Sequence, residues 1–196
     1  MKQIALRAAL AAVAVCSAAA AARADATAGV QTKIDGALRG AKSFVVLTQF
    51  PAQAYSATLL YVAPNRSRLS VAIAATTTDT ITVGSAVYSS KNGAPFEKSA
   101  APAADPAAGP LGSVKVGAIH ADVTIDGVAY GAFDTSLPLG TVVTLTCAYD
   151  KRSFRLARCV NSDVTRTYGS YDDPQNFVEP PSSFVEASPA PKDGNQ

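Results

Sequence analysis

The chain has one histidine, His120, and imidazole is the commonest acid–base group near neutral pH. A Ser–His–Asp arrangement needs a serine placed beside that imidazole, and no G-x-S-x-G turn accompanies it. His120 therefore reads as a structural or surface residue near a strand end. A zinc site calls for several His and Cys ligands, and this set is too small to supply one. Asp122, Asp126, Asp134 and the pair Asp172-Asp173 do not have the spacing of a calcium-binding EF-hand loop, and read as turn and surface acids. No glycine-rich loop of the phosphate-cradling kind is present. The residues predict no enzyme, no metal and no cofactor.

Two other groups remain. Cys147 and Cys159 are separated by eleven residues, which rules out a CxxC redox motif and favours a disulfide in an oxidising compartment. Lys151, Arg152, Arg155 and Arg158 cluster around the hairpin between these cysteines. Lys151, Arg152 and Arg155 are the candidate surface for an anionic partner. The plainer reading is an edge hairpin kept soluble by charge.

The compartment is written at the N-terminus. Lys2 and Arg7 precede an apolar run, Ala8 to Ala22, which ends at Ala22-Arg23-Ala24. That is the three-part pattern of a cleaved secretory signal over residues 1–24, too short for a spanning helix. It predicts a periplasmic protein with no stable membrane insertion. Cleavage would remove Lys2, Arg7 and Arg23, leaving 14 of the 17 Lys and Arg against 15 acids. A mature chain near −1 gives no global case for nucleic-acid binding. The remaining 172 of the 196 residues can bury a core without staples. A single domain is expected over 25–185, with a disordered tail at 186–196 rich in Pro and polar residues.

The elements follow from periodicity. In 26–41, Val30, Ile34, Ala37, Leu38 and Ala41 recur on one helical face. Strands are expected at 43–50, 55–63, 67–75, 79–83, 86–90, 112–119, 121–126, 128–134, 141–149, 153–160 and 163–168. Asn92-Gly93 and Asp126-Gly127 are hairpin signals. The Ala/Pro-rich segment 99–110 reads as a loop or flexible flap. This is a mainly β chain, a curved antiparallel sheet or barrel. Strands 43–50 and 55–63 are apolar on both faces, so each face must be covered by a helix, an opposite wall or a ligand. Cys147 shares the face of Val143, Leu145 and Tyr149, but Cys159 has the opposite parity to Phe154, Leu156 and Val160. Either a bulge shifts the register or the strands end elsewhere.

The order of motifs is similar to a known family. A short helix leads to Phe44-Val45-Val46-Leu47. Tyr61-Val62-Ala63-Pro64-Asn65-Arg66-Ser67-Arg68-Leu69 follows, then Ile81-Thr82-Val83-Gly84-Ser85-Ala86-Val87-Tyr88, and late in the chain Thr165-Arg166-Thr167-Tyr168-Gly169-Ser170-Tyr171-Asp172-Asp173. Over roughly 28–180 this resembles the periplasmic lipoprotein-carrier superfamily, LolA/LolB-type. The resemblance implies an incomplete antiparallel barrel with helices over an apolar cavity, no covalent chemistry, and an acyl chain or lipoprotein lipid moiety as ligand. It implies a cavity wall drawn from Phe44, Val46, Leu60, Val62, Leu69, Val71, Val83 and Leu145. Ala63 stands where the carrier has arginine, and the chain has no tryptophan, so the resemblance is to a divergent member. The alternative is an envelope interaction module with a plain packed core and a protein partner.

Overall fold

The computed structural model describes residues 24–100, 114–139 and 141–187. The signal segment, most of the Ala/Pro-rich loop and the end of the tail lie outside the described residues. Helix α1 covers residues 24–40. Twelve strands follow: β1 Ser43–Phe50, β2 Tyr55–Val62, β3 Arg66–Ile73, β4 Thr76–Val83, β5 Ala86–Lys91, β6 Phe96–Ala100, β7 Ile119–Ile125, β8 Val128–Leu139, β9 Thr141–Tyr149, β10 Leu156–Val160, β11 Thr165–Gly169 and β12 Phe184–Glu186.

All twelve form one sheet in the order β12-β6-β5-β4-β3-β2-β1-β11-β10-β9-β8-β7. Each pairing is antiparallel except β12 on β6, which is parallel. The sheet is mixed and open. β7 and β12 are its two ends and do not pair, so the barrel is not closed. The open, mainly β sheet agrees with the incomplete barrel that the carrier resemblance implies; among the described residues one α-helix lies on it.

Local chemistry explains the hairpins. Asn92 and Gly93 both have positive φ (52° and 73°), as do Asp126 and Gly127 (50° and 80°). Those angles are what a type I′ turn requires, and Asn, Asp and Gly reach them at least cost. The β3–β4 turn uses Ala74 at φ 50° instead, a residue with no turn signal.

The helix buries Ile34 and Leu38, and the residue after it Ala41, against Phe44, Val46, Phe133, Leu145, Leu156 and Tyr168. These sheet residues share one face, because paired residues on adjacent strands point the same way and successive residues alternate. Gln31 ties the helix to the stretch before β7. Its side-chain amide donates to the Val114 carbonyl at 2.8 Å, and its oxygen accepts from the Val116 amide at 2.6 Å. The strand expected at 112–119 is therefore replaced. Val114 and Val116 alternate inward as a strand would, but a helix side chain takes the place of the neighbouring strand.

The cysteine conflict is resolved by a bulge. Leu156 opposes Tyr149 and Arg158 opposes Ala148, so Ala157 is the extra residue. The shift places Cys159 directly opposite Cys147, and the two are bonded with Cα atoms 3.9 Å apart. Both sulfurs are buried beneath the helix. Tyr149 crosses Gly131, where an added Cβ would meet its ring at 2.4 Å.

Replacing Cys147 and Cys159 together by alanine should cost about 3 kcal/mol by the chain-entropy model. In a chain of this size that corresponds to a fall in Tm of roughly 6–12 °C. Thermal unfolding of the two proteins under non-reducing conditions measures it, and equal Tm values would show that the bond contributes nothing.

Candidate ligand-binding face

Cross-strand pairing arranges the helix-side face in rows. One row is Tyr168, Val46, Leu59, Leu69 and Thr80. Exposure rises from Val46 to Leu69. Val46 is 1% exposed beneath the helix, and Leu69, two strands away, is 37% exposed. A second row reads Arg166, Thr48, Ala57, Val71 and Thr78, and a third reads Phe50, Tyr55, Ile73 and Thr76. Ile73 is 50% exposed. The strip Leu69, Val71 and Ile73 thus continues the core face beyond the helix and is open among the described residues.

β4 sets its far border. Its Thr76, Thr78, Thr80 and Thr82 alternate onto the helix side, so the apolar strip gives way to hydroxyls. Arg166 stands at the inner border, and its Nε donates to Thr48 Oγ1 at 3.1 Å. The sequence reading passed over Arg166. Alternation along Thr165–Gly169 offered the signal, because Arg166 shares parity with the buried Tyr168.

The eight candidate wall residues divide between the two faces. Phe44, Val46, Leu69, Val71 and Leu145 lie on the helix side, where Phe44, Val46 and Leu145 are fully buried in a filled core. Leu60, Val62 and Val83 lie on the opposite side. There they pack with Ile81, Tyr88 and Phe96 under Val178. The segment after β11 crosses this side, and Arg66 holds it by a hydrogen bond to the Val178 carbonyl at 3.0 Å. The apolar residues on the two faces of β2 are therefore covered differently, Leu59 and Tyr61 by the helix-side core and Leu60 and Val62 by the C-terminal segment.

The basic hairpin is mostly occupied from within. Lys151 Nζ lies 2.5 Å from Asp122 Oδ2. Arg155 pairs with Asp172 and stacks its guanidinium 4.9 Å over Tyr171. Arg152 and Arg158 are exposed. Asp150 shapes the turn by accepting from the Ser153 amide (2.6 Å), the Ser153 hydroxyl (2.8 Å) and the Arg152 amide (3.0 Å).

The acid–base groups around His120 meet at one carboxylate. His120 Nε2 and the Thr146 hydroxyl both converge on Asp134 Oδ1, at 2.8 and 3.0 Å. The carboxylate is the hub, so the hydroxyl is bonded to the acid and not to the imidazole that would have to activate it. Among the described residues no cluster of three or more His, Cys, Asp or Glu is placed to hold a metal ion. No helix among them is long and apolar enough to cross a membrane.

Burial pushes the Tyr168 and Tyr171 phenols well up, so both stay neutral. Tyr171 donates to the Leu156 carbonyl at 3.1 Å. Two carboxyls move the other way. Hydrogen bonds from Ser153 hold Asp150 below its ordinary value. At Asp172 burial acts upward, and the Lys42 amide, Arg155 and the Ser43 region outweigh it, leaving a net lowering.

No family model matches the sequence, and no curated protein matches it. Among solved structures the fold is similar to that of LprF from Mycobacterium bovis. The TM-score is 0.53 at 14% identity, over 79% of this chain and 98% of that one. The Mycobacterium tuberculosis lipoprotein LppX aligns with a TM-score of 0.48 at 12% identity, over 76% of this chain and 97% of that one. At such identities the likeness to LprF is one of fold.

The lowered carboxyls set an acid limit. The unfolded chain binds protons on Asp150 and Asp172 at a higher pH than the folded chain does, so stability falls as pH drops below about 4. It is flat with respect to these groups at neutral pH. Asp172→Asn should flatten the acid limb of a stability–pH curve measured by urea unfolding. An unchanged limb would remove Asp172 from the account.

Proposed function

We propose that this chain is a non-enzymatic, periplasmic binding or carrier protein for an acyl chain, a lipid or a lipidated partner. In this reading it is a divergent member of the LolA/LolB-type superfamily, exported by cleavage of residues 1–24. The observation that carries the reading is the row from Val46 to Leu69. A continuous apolar face passes from the closed core to solvent, and Leu69, Val71 and Ile73 extend it past the edge of the helix. Burying methylenes there would supply affinity without any polar chemistry, about 0.8 kcal/mol each. The fold likeness to LprF is compatible with this reading.

A second reading has its own support. Phe44, Val46 and Leu145 belong to a core that is already filled, as expected of an interaction module whose partner meets the surface. Arg152 and Arg158 are the outward-facing cations of the hairpin that such a partner would meet.

Native mass spectrometry of the mature protein from a detergent-free periplasmic extract separates the two. The carrier reading expects a stoichiometric lipid adduct. An apo mass that gains nothing when acyl chains are offered would remove it. Ile73→Asp alters a half-exposed side chain, so the fold should survive. It should weaken retention of an added fatty acid by roughly tenfold or more, the loss of about 1.5–3 kcal/mol of side-chain burial. Undiminished retention would take the strip out of the binding site.

A further inference from the structure

Strand β12 is held to the sheet by little. It has three residues, all exposed, with Val185 at 51%. Its parallel ladder matches Phe184 with Phe96, Val185 with Glu97 and Glu186 with Lys98. Four contacts fix it. The Phe184 ring meets Tyr88 edge-on at 5.1 Å. Lys98 Nζ lies 5.2 Å from that ring and 2.8 Å from Glu186 Oε1. The Ala187 amide donates to the Lys98 carbonyl at 3.0 Å. Recognition thus reduces to an aromatic ring, a carboxylate two residues later, and main-chain bonds. Beneath the approach to β12 lies a groove of about 400 Å³ lined by Arg68, Ile81 and Phe96 on the sheet side and Val178, Pro180 and Pro181 on the other.

We propose that the β6 edge is a docking site for an extended segment of a partner protein, and that β12 is its internal occupant. The partner segment would carry an aromatic residue two positions before an acid and run parallel to β6. Strand addition at an open edge draws affinity from main-chain bonds and specificity from alternate side chains. The tether keeps the edge occupied at high effective concentration in the isolated protein, which also protects an otherwise bare edge from aggregation. This site lies at the sheet edge, apart from the strip Leu69, Val71 and Ile73, so its test stands or falls independently of the carrier reading.

The test uses the full mature chain and a fluorescein-labelled peptide of residues 181–187. Loosening the tail with Phe184→Ala and Glu186→Lys should raise peptide affinity at least about tenfold over wild type, measured by anisotropy. Lys98→Glu in the loosened chain should lose that gain, and a peptide carrying Glu186→Lys should recover it. Peptide binding that is absent, or equal in wild-type and loosened chains, overturns the proposal. So does continued hydrogen-exchange protection of the Ala187 amide in the loosened chain, since the edge would then not be freed. A tail-dependent dimer in place of peptide capture would assign the edge to a second copy and overturn the partner assignment.

Discussion

Apolar side chains on both faces of β1 and β2 oblige this chain to cover its sheet twice, because a one-layer sheet cannot leave two apolar faces in water. The two covers come from opposite ends of the sequence. Helix α1 closes the face of Phe44, Val46, Leu145 and the disulfide. The segment after β11 closes the face of Leu60, Val62, Ile81 and Tyr88 by way of Val178. Neither cover spans its whole face. The strip Leu69, Val71 and Ile73 is what the helix does not reach.

The join between the covers is polar and fully tied. Ser43 is buried where β1 leaves the helix. Its hydroxyl accepts from Asn176 at 2.9 Å, its carbonyl accepts from the Asp172 amide at 2.9 Å, and Asp172 accepts from the Lys42 amide at 2.7 Å. Arg155 reaches the same carboxylate from the β9–β10 loop. Three separate stretches of chain therefore meet at one corner. The groups expected to meet a partner at Lys151 and Arg155 are drawn into this internal frame and its neighbour Asp122.

Local chemistry made much of the fold legible. The Asn92-Gly93 and Asp126-Gly127 turns, the helix, and β1 to β5 are set by residues within a few positions of each other. The disulfide was legible as a pair, but its geometry was not, since the bulge at Ala157 has no residue signature. Two strands went unread for a similar reason. β6 and β12 have no clean alternation, and β12 exists only because a distant edge offers it a place. Val114 and Val116 misled in the other direction, since their strand-like pattern serves a helix side chain. At the candidate site, alternation separated two faces on each strand, but only register between strands shows that Leu60 and Leu69 point opposite ways. The drift from buried Val46 to open Leu69 depends on where the helix stops, and no local pattern records that.

The placement of β11 beside β1 has a bearing on how the molecule comes into being. Thr48 and Arg166, which touch across this seam, are 118 residues apart. Seams of such separation form late, because loop closure must precede any reward from pairing. A chain threaded from its N-terminus, through a ribosome or a membrane pore, can lay α1 on β1 and complete β1 to β5 as successive hairpins, but must hold the other edge of β1 unpaired until nearly all of it has emerged. The β9–β10 hairpin, with its cysteines 12 positions apart, can be stitched while that wait continues. The first strand of the protein to be made is thus the one whose second partner arrives last.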